Sequence, residues 1–215
     1  MDNTIFAIAP RWIIPIHPEN TCLENHAILI QDGVIQAIIP TADIPKQIDT
    51  IALASHVVTP GFINAHTHSP MTLLRGLSDD LPLMTWLNDA IWPVERKCLD
   101  QDFIADGTEL AIAEMIQSGT TCFNEHYFQA EVIARVAVKQ GMRAQIGFWL
   151  GEFTTLDGTD IDAQFTRAHT CLTQKNHDSE LIHYALAPHS PYALSDESLQ
   201  KIHDFSRQHD LPIHM

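Results

Sequence analysis

The chain has 215 residues, long for one ordinary domain and short for two large ones. Hydrophobic residues make up 45% of it, enough for a sizeable core, and acids outnumber bases 27 to 12, a formal charge of −15 that argues against a nucleic-acid backbone as partner. No apolar run approaches the roughly 18 residues of a membrane span. The start, Met1-Asp2-Asn3-Thr4, lacks the cationic stretch of a signal peptide, so a cytoplasmic protein without a membrane partner is expected. Cys22, Cys98, Cys122 and Cys171 form no CxxC pair and read as reduced, mostly buried thiols.

The first sixty residues read as short strands. Ala27–Gln31 and Val34–Ile39 flank Asp32-Gly33, a dipeptide suited to a type I′ hairpin, and five prolines between Pro10 and Pro45 exclude long helices. A small β-sandwich-like domain over residues 1–59 is expected.

After Pro60 strands and helices alternate. Phe62–Ala65 is the first strand of this part. Asp100 can cap a helix with Ile104, Ala111, Ile112, Met115 and Ile116 on one stripe and Gly119 at its end. Thr120–Asn124 is a strand, about Ala130–Gln140 a helix, Arg143–Leu150 a strand and Ile161–Gln174 a helix. Leu181–Ala187 is a strand, Ser195 caps a helix with Leu199, Ile202 and Phe205 inward, and Leu211–Met215 begins a further strand. Such alternation implies parallel strands with helical crossovers, in either an open doubly wound sheet or a (β/α)8 TIM-type barrel. No GxGxxG or GxxxxGK[ST] follows a strand, so nothing supports a nucleotide-phosphate cradle. Polar residues cluster just after strand ends instead: His66 and His68, then Asn124, Glu125 and His126, then His189. That face carries the chemistry in a barrel, which favours the barrel over residues 60–215. Four βα units cannot close eight strands, so the chain is expected to be the N-terminal half of a longer polypeptide.

The chemistry concentrates at Pro60-Gly61-Phe62-Ile63-Asn64-Ala65-His66-Thr67-His68. In a strand, residues i and i+2 share a face, so His66 and His68 can present two neutral imidazoles to one divalent ion, a donor type suited to zinc, iron or nickel. With thirteen histidines in the chain a chance pair is not rare, and two surface histidines at a strand end remain the plain alternative.

That segment, with Leu73-Leu74-Arg75-Gly76, Trp92-Pro93-Val94-Glu95, Ser118-Gly119-Thr120-Thr121, Gly141-Met142-Arg143-Ala144 and Ala187-Pro188-His189-Ser190-Pro191-Tyr192, resembles the amidohydrolase superfamily. Within it the chain is similar to the 5′-methylthioadenosine and S-adenosylhomocysteine deaminases, in the branch shared with triazine hydrolases. The resemblance implies one catalytic divalent metal, most simply zinc, with His66 and His68 as ligands. It also implies that Glu95 holds the ribose hydroxyls and that His189 contacts substrate beside the metal. The proton-shuttling glutamate and an aspartate ligand fall outside residues 1–215, and so does a third histidine ligand, which would follow Met215. His214, two positions earlier, reads as a neighbour of the ligand set.

The implied reaction is hydrolytic deamination of an adenine nucleoside, releasing ammonia. A metal lowers the pKa of bound water towards roughly 7, and a carboxylate must then move its proton. The resemblance implies that some members hold a homocysteine carboxylate with arginines after the third barrel strand. Here Phe148-Trp149-Leu150 occupies that region, which suits a methylthio group. Met84, Trp86 and Trp92 can stack on a purine or pack a lid, while Glu125 and His126 can touch the site or support it. A homodimer is expected from family likeness. The alternatives are another amidohydrolase, such as a guanine deaminase or a triazine hydrolase, and a non-catalytic half-barrel module.

Overall fold

A computed structural model describes residues 5–153, 155–174 and 179–215. Met1–Thr4, read above for its lack of cationic residues, lies outside them. The chain divides into two compact units, the first ending at Gly61 and the second beginning at Phe62.

The first unit is a five-stranded mixed sheet: β1 (Ile5–Ile13), β2 (Leu23–Glu24), β3 (His26–Gln31), β4 (Val34–Pro40) and β5 (Asp49–Val58). β3 and β4 form the expected hairpin, and Asp32 and Gly33 both have positive φ, 50° and 78°, as a type I′ turn requires. β5 lies parallel to β1, with one break in register between the Pro10–Leu53 and Trp12–Val57 pairs. The strands therefore join one sheet, and the second layer of the expected sandwich is not seen among the described residues. Ala7, Pro10, Ile13, Ala27 and Ile28 are among its buried apolar residues.

The second unit is built on four parallel strands in chain order: β6 (Phe62–Thr67), β7 (Thr120–Glu125), β8 (Arg143–Leu150) and β9 (Ile182–Pro188). The crossovers are α3 (Gln101–Gln117), α4 (Ala130–Gln140) and α5 (Ile161–Gln174), and α6 (Asp196–His209) follows β9. Caps set the helix starts: the Asp100 carboxylate accepts from the Phe103 amide at 2.8 Å, and the Ser195 hydroxyl accepts from the Ser198 amide at 3.2 Å. Gly141 ends α4 in the left-handed region at φ 68°. The expected fifth strand begins as a single parallel bridge, with the Leu186 amide donating to the Pro212 carbonyl and the His214 amide to the Leu186 carbonyl. No closed barrel forms among the described residues; they supply consecutive βα units of parallel order.

Strand alternation sorts the side chains. Phe123, Ala144, Ile146, Phe148, Leu150, Ile182 and Leu186 pack with α3 and α4 residues such as Ile104, Ile112, Ile133 and Ala137 in one core. Ile116, placed on the α3 stripe by sequence, is instead 56% exposed, because at about 100° per residue it falls at the edge of the stripe that buries Ile104, Ala111, Ile112 and Met115. The opposite face carries Asn124 and Gln145, hydrogen-bonded at 3.3 Å, and Trp149. The β6–β7 ladder is irregular: Ile63 pairs with Cys122 and Asn64 with Phe123, but Thr67 pairs with Glu125, so β6 carries one extra residue between Asn64 and Thr67. None of the four cysteines is buried: Cys22 and Cys98 are exposed, Cys122 and Cys171 half-buried. The expectation of mostly buried thiols is corrected: Cys171 packs against the core from α5 but keeps partial exposure, as does Cys122.

Gly107 fixes how closely α3 approaches the segment after β6. A Cβ there would lie 2.5 Å from the Pro70 carbonyl oxygen and 2.8 Å from Pro70 Cα, both backbone atoms that cannot step aside. Gly→Ala inside a helix ordinarily stabilises by up to about 1 kcal/mol. Overpacking costs about 1–3 kcal/mol, so the sign should reverse. Gly107→Ala is expected to lower the denaturation midpoint at unchanged m-value; a raised midpoint would refute the close packing.

Candidate active site

The site lies where the strands of the second unit end. His66 is the penultimate residue of β6, and His68 leads into a 3-10 turn, Ser69–Leu74. His126 follows β7, His189 follows β9, and His214 lies on the segment bridged to β9. The five imidazoles converge. The His66 ring centroid is 5.1 Å from that of His68, 5.4 Å from His126 and 4.9 Å from His214. His189 is 6.3 Å from His68 and 5.5 Å from His126.

Hydrogen bonds orient the two histidines singled out by spacing. His68 Nδ1 donates to the His126 carbonyl at 2.5 Å, which fixes the tautomer and leaves Nε2 with a free lone pair. His66 Nδ1 lies 2.9 Å from His214 Nε2, which leaves His66 Nε2 free. Each of these arrangements matches the usual support of a metal-ligating histidine by a hydrogen bond at its other nitrogen. His214 therefore contacts a candidate ligand directly. One nitrogen each of His66, His126 and His214 also lie within 4.8 Å of one another, a second grouping able to hold an ion. Both ring nitrogens of His126, and Nδ1 of His189 and of His214, are buried without a hydrogen-bond partner. Burial holds His68 near a pKa of about 4 and His126 near about 3, and pushes His189 and His214 down as well. Buried, neutral imidazoles with unused lone pairs fit a divalent cation of zinc's class.

Glu125 braces this cluster. It is wholly buried, and its carboxylate accepts from the Ser69 amide, the Ser69 hydroxyl and the His126 amide. Desolvation raises its pKa to about 7 against those three donors. The sequence could place Glu125 only as contact or support; with its oxygens occupied by Ser69 and His126 it supports.

Glu95 reaches the site from another direction. A short helix α1 (Leu83–Thr85), a π-helical turn (Trp86–Ile91) and α2 (Trp92–Cys98) run on continuously, an arrangement the sequence pattern did not reveal. Burial raises the Glu95 pKa, while the Tyr127 hydroxyl, which donates to Glu95 Oε1, and the Arg96 charge oppose the shift. Glu95, His68, His126 and His189 line one cavity of about 440 Å³, together with Met84, Trp86 and Trp92. Sequence reasoning passed over Tyr127, which has no spacing signal of its own.

One expectation is corrected. Of Phe148, Trp149 and Leu150, only Trp149 lines that cavity, with its ring 5.6 Å from His189. Phe148 stacks on Tyr184 at 4.9 Å and Leu150 is wholly buried in the core. Period-two alternation sends the flanking residues to the helix side. Phe153, 5.0 Å from Trp149, and Phe128, 5.1 Å from it, complete the aromatic wall.

The chain is 42% identical over 213 residues to a 5-methylthioadenosine/S-adenosylhomocysteine deaminase of Saccharophagus degradans, covering 96% of this chain and 47% of that protein. It is 41% identical over 160 residues to a 5′-deoxyadenosine deaminase of Methanocaldococcus jannaschii, covering 74% and 37%. The crystal structure of an adenosine deaminase from Xanthomonas campestris with bound zinc superposes with a TM-score of 0.90 at 43% identity, over 97% of this chain and 48% of that one. The chain thus spans about half the length of the curated relatives it matches. Residues 16–58 match the NagA composite domain and residues 57–215 the amidohydrolase family. With the match extending over the whole of the second unit, the chain belongs to the amidohydrolase family.

Proposed function

We propose that the polypeptide carrying this chain is a metal-dependent hydrolytic deaminase of adenine nucleosides, with 5′-methylthioadenosine preferred and adenosine and S-adenosylhomocysteine as further substrates. The observation that carries the reading is the convergence of His68, His189 and Glu95 on one cavity beside His66. Relatives named as deaminases of such nucleosides support it. On this reading the units belong to a closed (β/α)8 barrel with an accompanying β-domain.

His66 and His68 would hold the ion through their free Nε2 atoms, with His214 and the His126 carbonyl orienting them. Zinc suits these ligands and supplies Lewis-acid activation of water. Glu95 accepts hydrogen bonds from the ribose hydroxyls; a carboxylate offers enough lone pairs for a vicinal pair as well as for Tyr127. His189 faces the base, with Nδ1 still unpartnered. Glu125 is not the proton carrier, because Ser69 and His126 already occupy its oxygens.

An adjoining cavity of about 460 Å³, lined by Trp92, Leu99, Phe128, Phe153 and Leu156 beside Glu95, suits an apolar 5′ substituent. Burial there contributes roughly 25 cal/mol per Å². A homocysteine tail would bring a carboxylate and an ammonium that need partners. The cationic side chain lining this cavity, Arg96, is solvent-exposed, and an exposed pair contributes at most about 1 kcal/mol. Steady-state kinetics of the full gene product on 5′-methylthioadenosine, adenosine, S-adenosylhomocysteine and guanine test the proposal. The expected order is methylthioadenosine first, ahead of S-adenosylhomocysteine by at least about tenfold in kcat/KM, a cost of about 1.4 kcal/mol or more for the unpaired carboxylate and ammonium. Turnover of guanine alone, or of none of the four, would overturn it.

A further inference from the structure

Tyr127 lies between the two ends of the site. It is 4% exposed, its ring centroid is 5.8 Å from that of His68 and 4.8 Å from that of Phe128, and its hydroxyl donates to Glu95 Oε1. Glu95 needs such a partner. Its helix, α2, is seven residues long and contains no buried residue, so packing of its own helix does little to fix the carboxylate. Tyr127, by contrast, is part of the β7–α4 connection, which is held on both sides. The His126 amide donates to the Thr67 carbonyl at 2.9 Å, and the Gln129 amide donates to the buried Asp157 carboxylate at 2.8 Å.

We infer that Tyr127 is a positioning residue that holds the Glu95 carboxylate at a set distance from the histidine cluster, so that the ribose hydroxyls and the reacting ring are gauged together. The inference rests on the proposed nucleoside reading. A buried aromatic side chain with two rotatable bonds makes a stiff spacer. Its hydroxyl takes one lone pair of Oε1 and leaves the remaining acceptor positions of the carboxylate for two vicinal hydroxyls. The contribution is therefore felt only by substrates that carry those hydroxyls.

The test is Tyr127→Phe in the full gene product, which removes the hydroxyl and keeps the ring, measured on 5′-methylthioadenosine and on its 2′,3′-dideoxy counterpart. Glu95→Gln and the double variant complete a cycle, and metal content is determined for each protein. Tyr127→Phe should lower kcat/KM for the ribonucleoside about tenfold, chiefly through KM. The dideoxy substrate should change by less than about twofold, and Tyr127→Phe should add less than about twofold on the Glu95→Gln background, because the two residues act as one unit. Metal content should not change. Equal losses on both substrates, or full additivity with Glu95→Gln, would overturn the assignment and leave the deaminase reading standing. A wild-type enzyme that turns over neither nucleoside would remove that reading and this assignment with it.

Discussion

Replacing His66 with alanine should strip the full gene product of most of its bound metal and lower kcat/KM by about a thousandfold. His66 is the member common to both groupings in the site: the pair with His68, and the nitrogen cluster with His126 and His214. Whichever set receives the ion, the variant loses a ligand. Metal-ion catalysis supplies several kcal/mol of transition-state stabilisation, and about 4 kcal/mol corresponds to a factor of roughly a thousand. Metal analysis after dialysis and steady-state kinetics on 5′-methylthioadenosine check the two halves of the expectation. The companion variants separate the sets. His68→Ala should match His66→Ala, whereas His214→Ala should keep the metal and lose much less activity, because His214 contacts Nδ1 of His66. Full metal content in His66→Ala would remove the assignment.

Glu125→Ala should be the most destabilising substitution near the site. The wild-type carboxylate satisfies the Ser69 amide and hydroxyl and the His126 amide in a position with no solvent access. Alanine leaves the Ser69 amide and the Ser69 hydroxyl buried without an acceptor, at about 1–3 kcal/mol each, while the His126 amide keeps the Thr67 carbonyl at 2.9 Å. A loss of about 4 kcal/mol is expected, more than the Gly107→Ala effect. Ser69 follows His68 directly and His126 supplies the carbonyl that fixes the His68 tautomer, so metal affinity should fall together with stability. Glu125→Gln, which keeps one acceptor oxygen, should recover part of the stability. Chemical denaturation of the three proteins decides the matter: an alanine variant within about 1 kcal/mol of wild type would show that the carboxylate does not brace the loops.

Local chemistry made much of this architecture legible before any coordinates. Asp100 and Ser195 announced their helices because a cap is a local contact, three residues in reach. Asp32-Gly33 announced its hairpin because the turn needs positive φ at both positions. The His66 and His68 pair stood out through strand periodicity and the family's motif. What stayed hidden depends on partners distant in sequence. Glu125 meets Ser69 across 56 residues, and Tyr127 meets Glu95 across 32. The β1–β5 parallel pairing was likewise invisible, since neither strand carries a signal of which edge it will join. Phe148 and Leu150 were misplaced because a three-residue apolar run at a strand end does not declare which member faces the cavity; Trp149 alone does.

The extra residue in β6 makes the spacing of this segment as consequential as its identity. Beyond the irregularity Thr67 aligns with Glu125, the register that sets His66 level with Asn124, on the face away from the helices. Carried on without it, the register of Asn64 with Phe123 would set His66 against Glu125 and turn both imidazoles towards the helix side. Deleting one residue here, Ala65 for instance, would remove no chemical group the reaction uses and still abolish the site. On the proposed metal reading, substitution libraries over Asn64–Thr67 can therefore sample composition freely at Ala65, whereas length variants should lose both metal and activity.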